Sequence, residues 1–186
     1  MNRIVDQKKK DRKKILAQRN SLAPSKKQNY DTWVCEQLEA LIVSNNYQVI
    51  HAYLPIGSEI DIFPLLEKLL ALGLTVITPK TLKDRKLQQL VLEDVTLVEQ
   101  GLYGTYFPSN ANEYLGNYDI IIVPAVAFDT DRFRLGYGGG YYDTFLANHQ
   151  QAMKVGICYP FQHITSVPRE AHDISVDKVI VKEKIG

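Results

Sequence analysis

Residues 134–143 read Arg-Leu-Gly-Tyr-Gly-Gly-Gly-Tyr-Tyr-Asp, with four glycines in the five positions from Gly136 to Gly140. Glycine has no Cβ, so such a run lets the backbone pass close to a ligand and turn several N–H groups toward it. A helix beginning just beyond the run adds the positive end of its dipole, and the combination favours phosphate. Arg134 at the entrance offers a planar fork of donors matched to phosphoryl oxygens. Asp143 beyond it is a carboxylate able to share a Mg2+ ion with phosphate oxygens. The same residues also suit a strand-to-helix turn that is glycine-rich for conformational reasons alone, with Asp143 complementing the helix dipole. The spacing G-x-G-G-G is not a Walker A loop, since no Lys-Ser/Thr follows, and it is not G-x-G-x-x-G. No acidic residue stands about 20 positions past Gly140, where a dinucleotide fold holds ribose.

The hydrophobic pattern supplies the elements that position this loop. Residues 118–124, Tyr-Asp-Ile-Ile-Ile-Val-Pro, form a short apolar run of the kind found in buried parallel strands, and they lead into the loop. Residues 49–54 form a similar run, ended by Pro55 and Gly57. Asp61 is placed to cap a helix with Pro64 in its first turn, Leu65, Leu66, Leu69 and Leu70 on its buried face and Gly73 at its end. A second strand at 74–78 completes a strand–helix–strand unit. Residues 87–98 read as a smaller antiparallel element around Glu93-Asp94, and a helix at 142–150 with strands at 154–159 and 178–181 closes the pattern. Ahead of all these lie two helices. The first, at 3–19, carries eight basic and two acidic residues with a thin apolar stripe; the second starts at Ser25 and packs more deeply, through Tyr30, Val34, Leu38, Leu41 and Ile42 with Trp33 beside them. With no repeat, linker or low-complexity segment, the expectation is one three-layer α/β domain over 1–186. Its central sheet is mostly parallel and Rossmann-like, with a small antiparallel element added.

The chain has 186 residues, 45% hydrophobic and 23% charged, which excludes the composition of disordered proteins. A formal net charge of +1 leaves no global positive field for nucleic acid or an anionic membrane, so basic function must be local. Cys35 and Cys158 form neither a C-x-x-C motif nor a disulfide framework, and a reducing cytoplasm fits them best. The N-terminal residues lack an apolar core, and no apolar run approaches the roughly 20 residues of a membrane helix. Neither a signal peptide nor a membrane span is expected, and Asp6 and Asp11 count against a transit peptide.

The run from Val123-Pro124 to Phe128-Asp129, followed by Arg134 through Asp143, resembles the signature of the 5-formyltetrahydrofolate cyclo-ligase family, the methenyltetrahydrofolate synthetases. The resemblance extends over nearly the whole chain. Leu54-Pro55-Ile56-Gly57-Ser58-Glu59-Ile60-Asp61 is similar to the family's folate-side strand end, and Tyr103-Gly104 through Pro108 to its aromatic loop. Lys8, Arg12 and Arg19 resemble its basic first helix, and Asp173 with Val176-Asp177 its closing motif. What this implies is ATP-dependent closure of 5-formyltetrahydrofolate to 5,10-methenyltetrahydrofolate with release of ADP and phosphate, Mg2+ being required. ATP would be held by Lys8, Arg12, Arg134, Leu135, Gly136, Tyr137, Gly138, Gly139, Gly140, Tyr141 and Tyr142, with Arg134 and Tyr142 catalytic. The folate would meet Leu54, Glu59, Tyr103, Tyr137, Gly138, Gly139, Gly140 and Tyr141, and the metal Asp143 and Asp173. Glu59 would accept hydrogen bonds from folate N–H groups, and Tyr103 would stack on the pterin. Asp11, Phe107 and Gly139 depart from the family pattern, the last removing one phosphate-binding cation.

On this reading the partners are the folate and ATP, without nucleic acid or membrane, and the protein is a cytoplasmic monomer. Phosphoryl transfer relies on positioning and charge, so no general base is required, and His51, His149, His163 and His172 read as ordinary residues. Two readings compete: a nucleic-acid-binding domain using the basic N-terminal helix, and a nucleotide-binding regulator without turnover.

Overall fold

A computed structural model of the chain describes residues 3–170 and 173–185; His172 lies outside them. Two helices come first, α1 (Arg3–Asn20) and α2 (Pro24–Ser44). The strands β1 (Val49–His51) and β2 (Thr75–Thr81) flank α3 (Phe63–Ala71), and β3 (Leu87–Leu92) follows. Next come β4 (Val98–Gln100), β5 (Tyr106–Pro108), β6 (Ile120–Val123), β7 (Ala127–Asp129) and β8 (Arg134–Leu135). The chain ends with α4 (Tyr141–Asn148), β9 (Met153–Ile157), β10 (His163–Ile164) and β11 (Lys178–Ile180).

Six strands form the central sheet in the order β11-β9-β6-β1-β2-β3, parallel except for the antiparallel β2–β3 pair. Ile120, Ile121, Ile122 and Val123 are all fully buried, as a parallel strand covered on both faces requires. Successive residues enter opposite cores. Ile120 and Ile122 join Val34, Leu38 and Ile42 of α2 and Leu65, Leu66 and Leu69 of α3. Ile121 and Val123 join Phe145 and Leu146 of α4 on the other face. The three expected layers are present, and α2 is indeed the more deeply packed of the first two helices.

The differences from expectation are local. β1 stops at His51, although the amide of Ala52 still reaches the Ile77 carbonyl at 2.8 Å, because the chain then leaves the sheet toward Glu59. The antiparallel element is divided: β3 extends the central sheet, while β4 pairs with β5. The sheet β10-β7-β8 has no counterpart in the expected pattern, since two-residue strands are too short to show a period. Asp61 serves α3 as expected, its Oδ1 accepting the Phe63 amide at 3.0 Å, although the capping position itself is Ile62.

After β1 the chain builds outward to β2 and β3; it then returns to β6 on the other side of β1 and continues to β9 and β11. This reversal makes a switch point between β1 and β6, and open α/β sheets bind ligands in the crevice at the carboxyl ends of such strands. α1 lies beside this crevice and rests on Val126, Ala127, Leu135 and Val167 through Ile15.

Gly156 of β9 makes room for the fully buried ring of Phe128, which would stand 2.4 Å from a Cβ at that position. Gly156→Ala is expected to destabilise the protein by about 1–3 kcal/mol through overpacking. Urea denaturation checks this as a lower midpoint at unchanged slope.

Candidate active site

The carboxyl ends of β1, β6 and β9 converge on a cavity of about 10 Å³, bounded by Tyr53, Glu59, Pro124, Ala125 and Ile157, with Arg19 entering from α1. That is room for about one water molecule. Glu59 is buried, and its carboxylate accepts the Ile56 amide at 2.9 Å and the Tyr137 hydroxyl. Burial pushes the Glu59 pKa up, against the hydrogen bonds from Tyr137 and Ile56 and the charges of Arg19 and Lys27 that draw it down. Leu54 is buried in the adjoining core.

The glycine loop runs from β8 to α4. Gly138 (φ +105°) and Gly140 (φ +71°) occupy left-handed conformations that a side chain would strain, and Gly140 is the N-terminal flanking residue of α4. Arg134, buried on β8, reaches across the loop to Asp143 in the first turn of α4, with Nη2 2.6 Å from Oδ1. The pair ties the two ends of the loop together. Arg12 donates from Nε to the Gly136 carbonyl at 2.7 Å, and its guanidinium would stand 3.5 Å from a Cβ on Gly138. Side chain and loop are thus in direct contact.

One helical turn before Arg12, Lys8 is buried with its Nζ 3.0 Å from both Glu170 Oε2 and Asp173 Oδ2. Burial alone would lower the Lys8 pKa, but the hydrogen bonds and charges of Glu170 and Asp173 carry it above the ordinary value. Lys9, Lys10, Lys13 and Lys14 are exposed on the remaining surface of α1. Tyr141 donates to the Leu82 carbonyl at 2.9 Å and meets Tyr103 edge-on at 6.4 Å. Tyr103 is 77% exposed and holds a positive φ of 57°, so its ring stands out beside the loop. The Tyr142 hydroxyl is buried without a hydrogen-bond partner, and burial raises its pKa well above the phenol range.

Contacts therefore join Lys8, Arg12, Arg134, Tyr137, Asp143, Asp173 and Glu59 into one region, with Tyr103 attached through Tyr141. Arg19 and Glu170 belong to it as well, although the sequence reading assigned neither a role in the site. Arg19 lies eleven residues after Lys8, three turns along the same helical face, and that spacing was the available signal.

Among the described residues no group of three or more His, Cys, Asp or Glu side chains could hold a metal. Asp143 instead faces Arg134, and Asp173 shares Lys8 with Glu170. Such donors fit a Mg2+ ion that arrives with phosphate oxygens, which needs only one or two carboxylates.

A family model described as the 5-formyltetrahydrofolate cyclo-ligase family matches residues 4–182. The chain belongs to this family. It is accordingly an enzyme, a ligase of folate one-carbon metabolism. It is 30% identical over 145 residues to the 5-formyltetrahydrofolate cyclo-ligase of Mycolicibacterium smegmatis, covering 74% of this chain and 75% of that one. It is 27% identical over 175 residues to the 5-formyltetrahydrofolate cyclo-ligase of Mycoplasma pneumoniae, covering 92% and 96%. Among solved structures, a 5,10-methenyltetrahydrofolate synthetase from Aquifex aeolicus superposes with a TM-score of 0.80 at 30% identity, covering 94% of this chain and 89% of that one. The synthetase from Mycoplasma pneumoniae gives 0.77 at 26% identity, covering 93% and 97%.

The Glu59 carboxyl group is expected to titrate above the ordinary glutamate value of about 4.3 when followed by 13C NMR. Tyr137→Phe removes a hydrogen bond to the carboxylate form and should move the midpoint further up. A midpoint unchanged by the substitution would mean that the two side chains are not bonded in solution.

Proposed function

We propose that this enzyme closes 5-formyltetrahydrofolate to 5,10-methenyltetrahydrofolate at the expense of ATP, with Mg2+, acting over residues 1–186 as one catalytic unit and as a cytoplasmic monomer. The observation that carries the reading is the bond from Tyr137 of the glycine loop to Glu59 at the switch-point crevice. It brings a phosphate-type loop and a buried carboxylate acceptor within one side chain of each other.

A formamide oxygen is a poor leaving group, and phosphorylation removes that obstacle. The bond between the γ-phosphorus and ADP breaks, with its electron pair leaving on ADP, while a bond forms from phosphorus to the formyl oxygen. N10 of the folate then attacks the activated carbon, the C–O bond breaks, and phosphate departs with the N10 proton passing to it or to water. Such a transfer needs alignment and charge stabilisation more than proton transfer.

This chain's residues divide the work. Glu59 accepts N–H groups of the pterin, in the position that the Tyr137 hydroxyl occupies here. Gly136 to Gly140 let the backbone approach the phosphates at the start of α4, with Tyr141 and Tyr142 closing the loop. Leu135 and Leu54 hold the loop and the crevice against their cores. Arg134 and Arg12 bring positive charge to the phosphoryl groups, and Lys8 extends that charge along α1. Asp143 and Asp173 would hold the Mg2+, which when bound neutralises phosphate charge. Tyr103, beside the loop and largely exposed, offers a face for stacking the pterin. Tyr142, its hydroxyl buried and its pKa raised, shapes the loop floor as a neutral phenol.

Absorbance of the methenyl product should appear only when ATP, a divalent metal and 5-formyltetrahydrofolate are all supplied; turnover without ATP contradicts the mechanism. Arg12→Gln is expected to raise the ATP KM by about ten- to a hundredfold, the scale of a lost hydrogen bond to a charged group. Lys13→Gln with Lys14→Gln, which removes exposed charge, should change it less than threefold, about the limit for a solvated surface charge. Equal effects would reduce α1 to a general basic surface.

A further inference from the structure

Four cations are buried among the described residues: Lys8, Arg19, Arg134 and Lys154. Three face carboxylates, Lys8 at 3.0 Å, Arg134 at 2.6 Å and Lys154 at 3.9 Å. Arg19, only 6% exposed, has no such partner within 4.0 Å among the described residues. Its Nε donates to Ser58 Oγ at 3.0 Å, and its guanidinium centre lies 5.7 Å from the Tyr137 ring centre. A guanidinium carries five N–H donors in a fixed plane, so donors remain for a ligand. Arg19 makes no direct ion pair, its charge acting on Glu59 only from beyond contact distance, so an anion brought within reach of its free donors would be favoured.

The place of this side chain says which anion. Arg19 lines the cavity that also holds Glu59, at the carboxyl ends of β1 and β6, and it packs against the tyrosine of the glycine loop. Arg12 and Arg134 already serve the loop itself, and Lys8 is held by Glu170 and Asp173. Arg19 instead stands beside both the carboxylate that would receive the pterin and the tyrosine of the loop that would present the γ-phosphate. The formyl group is attached to the pterin ring at N5, so this junction is where phosphorus meets the formyl oxygen.

Resting on the function proposed above, we infer that Arg19 is a catalytic residue that donates hydrogen bonds to the formyl oxygen and the incoming phosphoryl oxygens. As the phosphorus–ADP bond breaks and the phosphorus–formyl oxygen bond forms, the electron pair leaves on ADP and Arg19 keeps all its protons. It stabilises negative charge on the oxygens in flight and then on the departing phosphate. The planar fork suits adjacent oxygens, which a lysine ammonium matches less well.

The test compares wild type, Arg19→Ala, Arg19→Lys and Ser58→Ala by product absorbance, by binding of a non-hydrolysable ATP analogue and by thermal unfolding. Arg19→Ala is expected to lose kcat by about a hundredfold or more, the scale of removing one donor to transition-state charge, with analogue affinity within about threefold. Millimolar methylguanidinium should restore part of that kcat in Arg19→Ala and leave wild type unchanged. Ser58→Ala, which removes the bond but not the charge, should keep kcat within a few-fold. Arg19→Lys should lose at least about tenfold in kcat at little-changed folate KM, and it decides the matter if Arg19→Ala does not fold. A kcat near wild type in either Arg19 variant overturns the inference, as does an equal loss in Ser58→Ala or a loss confined to the ATP KM. Wild type that forms no methenyl product would instead overturn the function on which the inference rests.

Discussion

Burial of a cationic helix face is the constraint from which the arrangement of this protein follows. The inward stripe of α1 carries Lys8, Arg12, Ile15 and Arg19, and a helix would ordinarily put apolar residues at those spacings. Each charge removed from water must find compensation, or the helix would turn the other way. Lys8 finds Glu170 and Asp173, Arg12 finds the Gly136 carbonyl, and Ile15 supplies the apolar anchor. Docking α1 therefore draws the C-terminal loop and the glycine loop together. Arg19, bonded to the Ser58 hydroxyl, packed on the Tyr137 ring and within electrostatic reach of Glu59, makes no direct ion pair among the described residues.

The sheet supplies the other half of the design. Because β6 returns beside β1, two strand ends and the loops that leave them face one crevice, which Glu59 and Pro124 both line. The strand ends are rigid, being buried on both faces, whereas the glycine loop is held at its ends by the Arg134–Asp143 pair and at its middle by Arg12 and Tyr137. A rigid floor with a loop fastened by polar contacts suits chemistry that depends on alignment. The polar fastenings are also the groups that a phosphate, a metal and a folate would compete for. Under the proposed function, occupancy of either half of the site would be felt by the other through Tyr137.

Most of the elements were legible in the sequence because they are built from local periodicity. The run 118–124, the leucines at 65, 66, 69 and 70 and the stripe through Tyr30, Val34 and Leu38 each repeat at a spacing that only one backbone geometry satisfies. β8, with two residues, has no period to read, and the hairpin from β2 to β3 was divided differently because its turn, with Asp84 and Arg85 at positive φ, lacks glycine. The proposed phosphate role of the loop could be read from the sequence for a similar reason, since its glycines, arginine and aspartate fall within ten consecutive residues.

The sequence by itself thus determined which segments become most of the strands and helices and where the glycine loop lies, since both are properties of neighbours along the chain. Which partners meet was decided by the tertiary structure. Lys8 and Asp173 are 165 residues apart, Arg12 and Gly136 are 124, and Tyr137 and Glu59 are 78. No local pattern relates residues at such separations; they meet because packing apolar faces against the sheet leaves one way for α1 to lie. The buried stripe of α1 shows the division most clearly. Spacing alone places Lys8, Arg12 and Arg19 on one face, but only the fold turns that face inward, leaving Arg19 without a direct ion pair but beside Glu59.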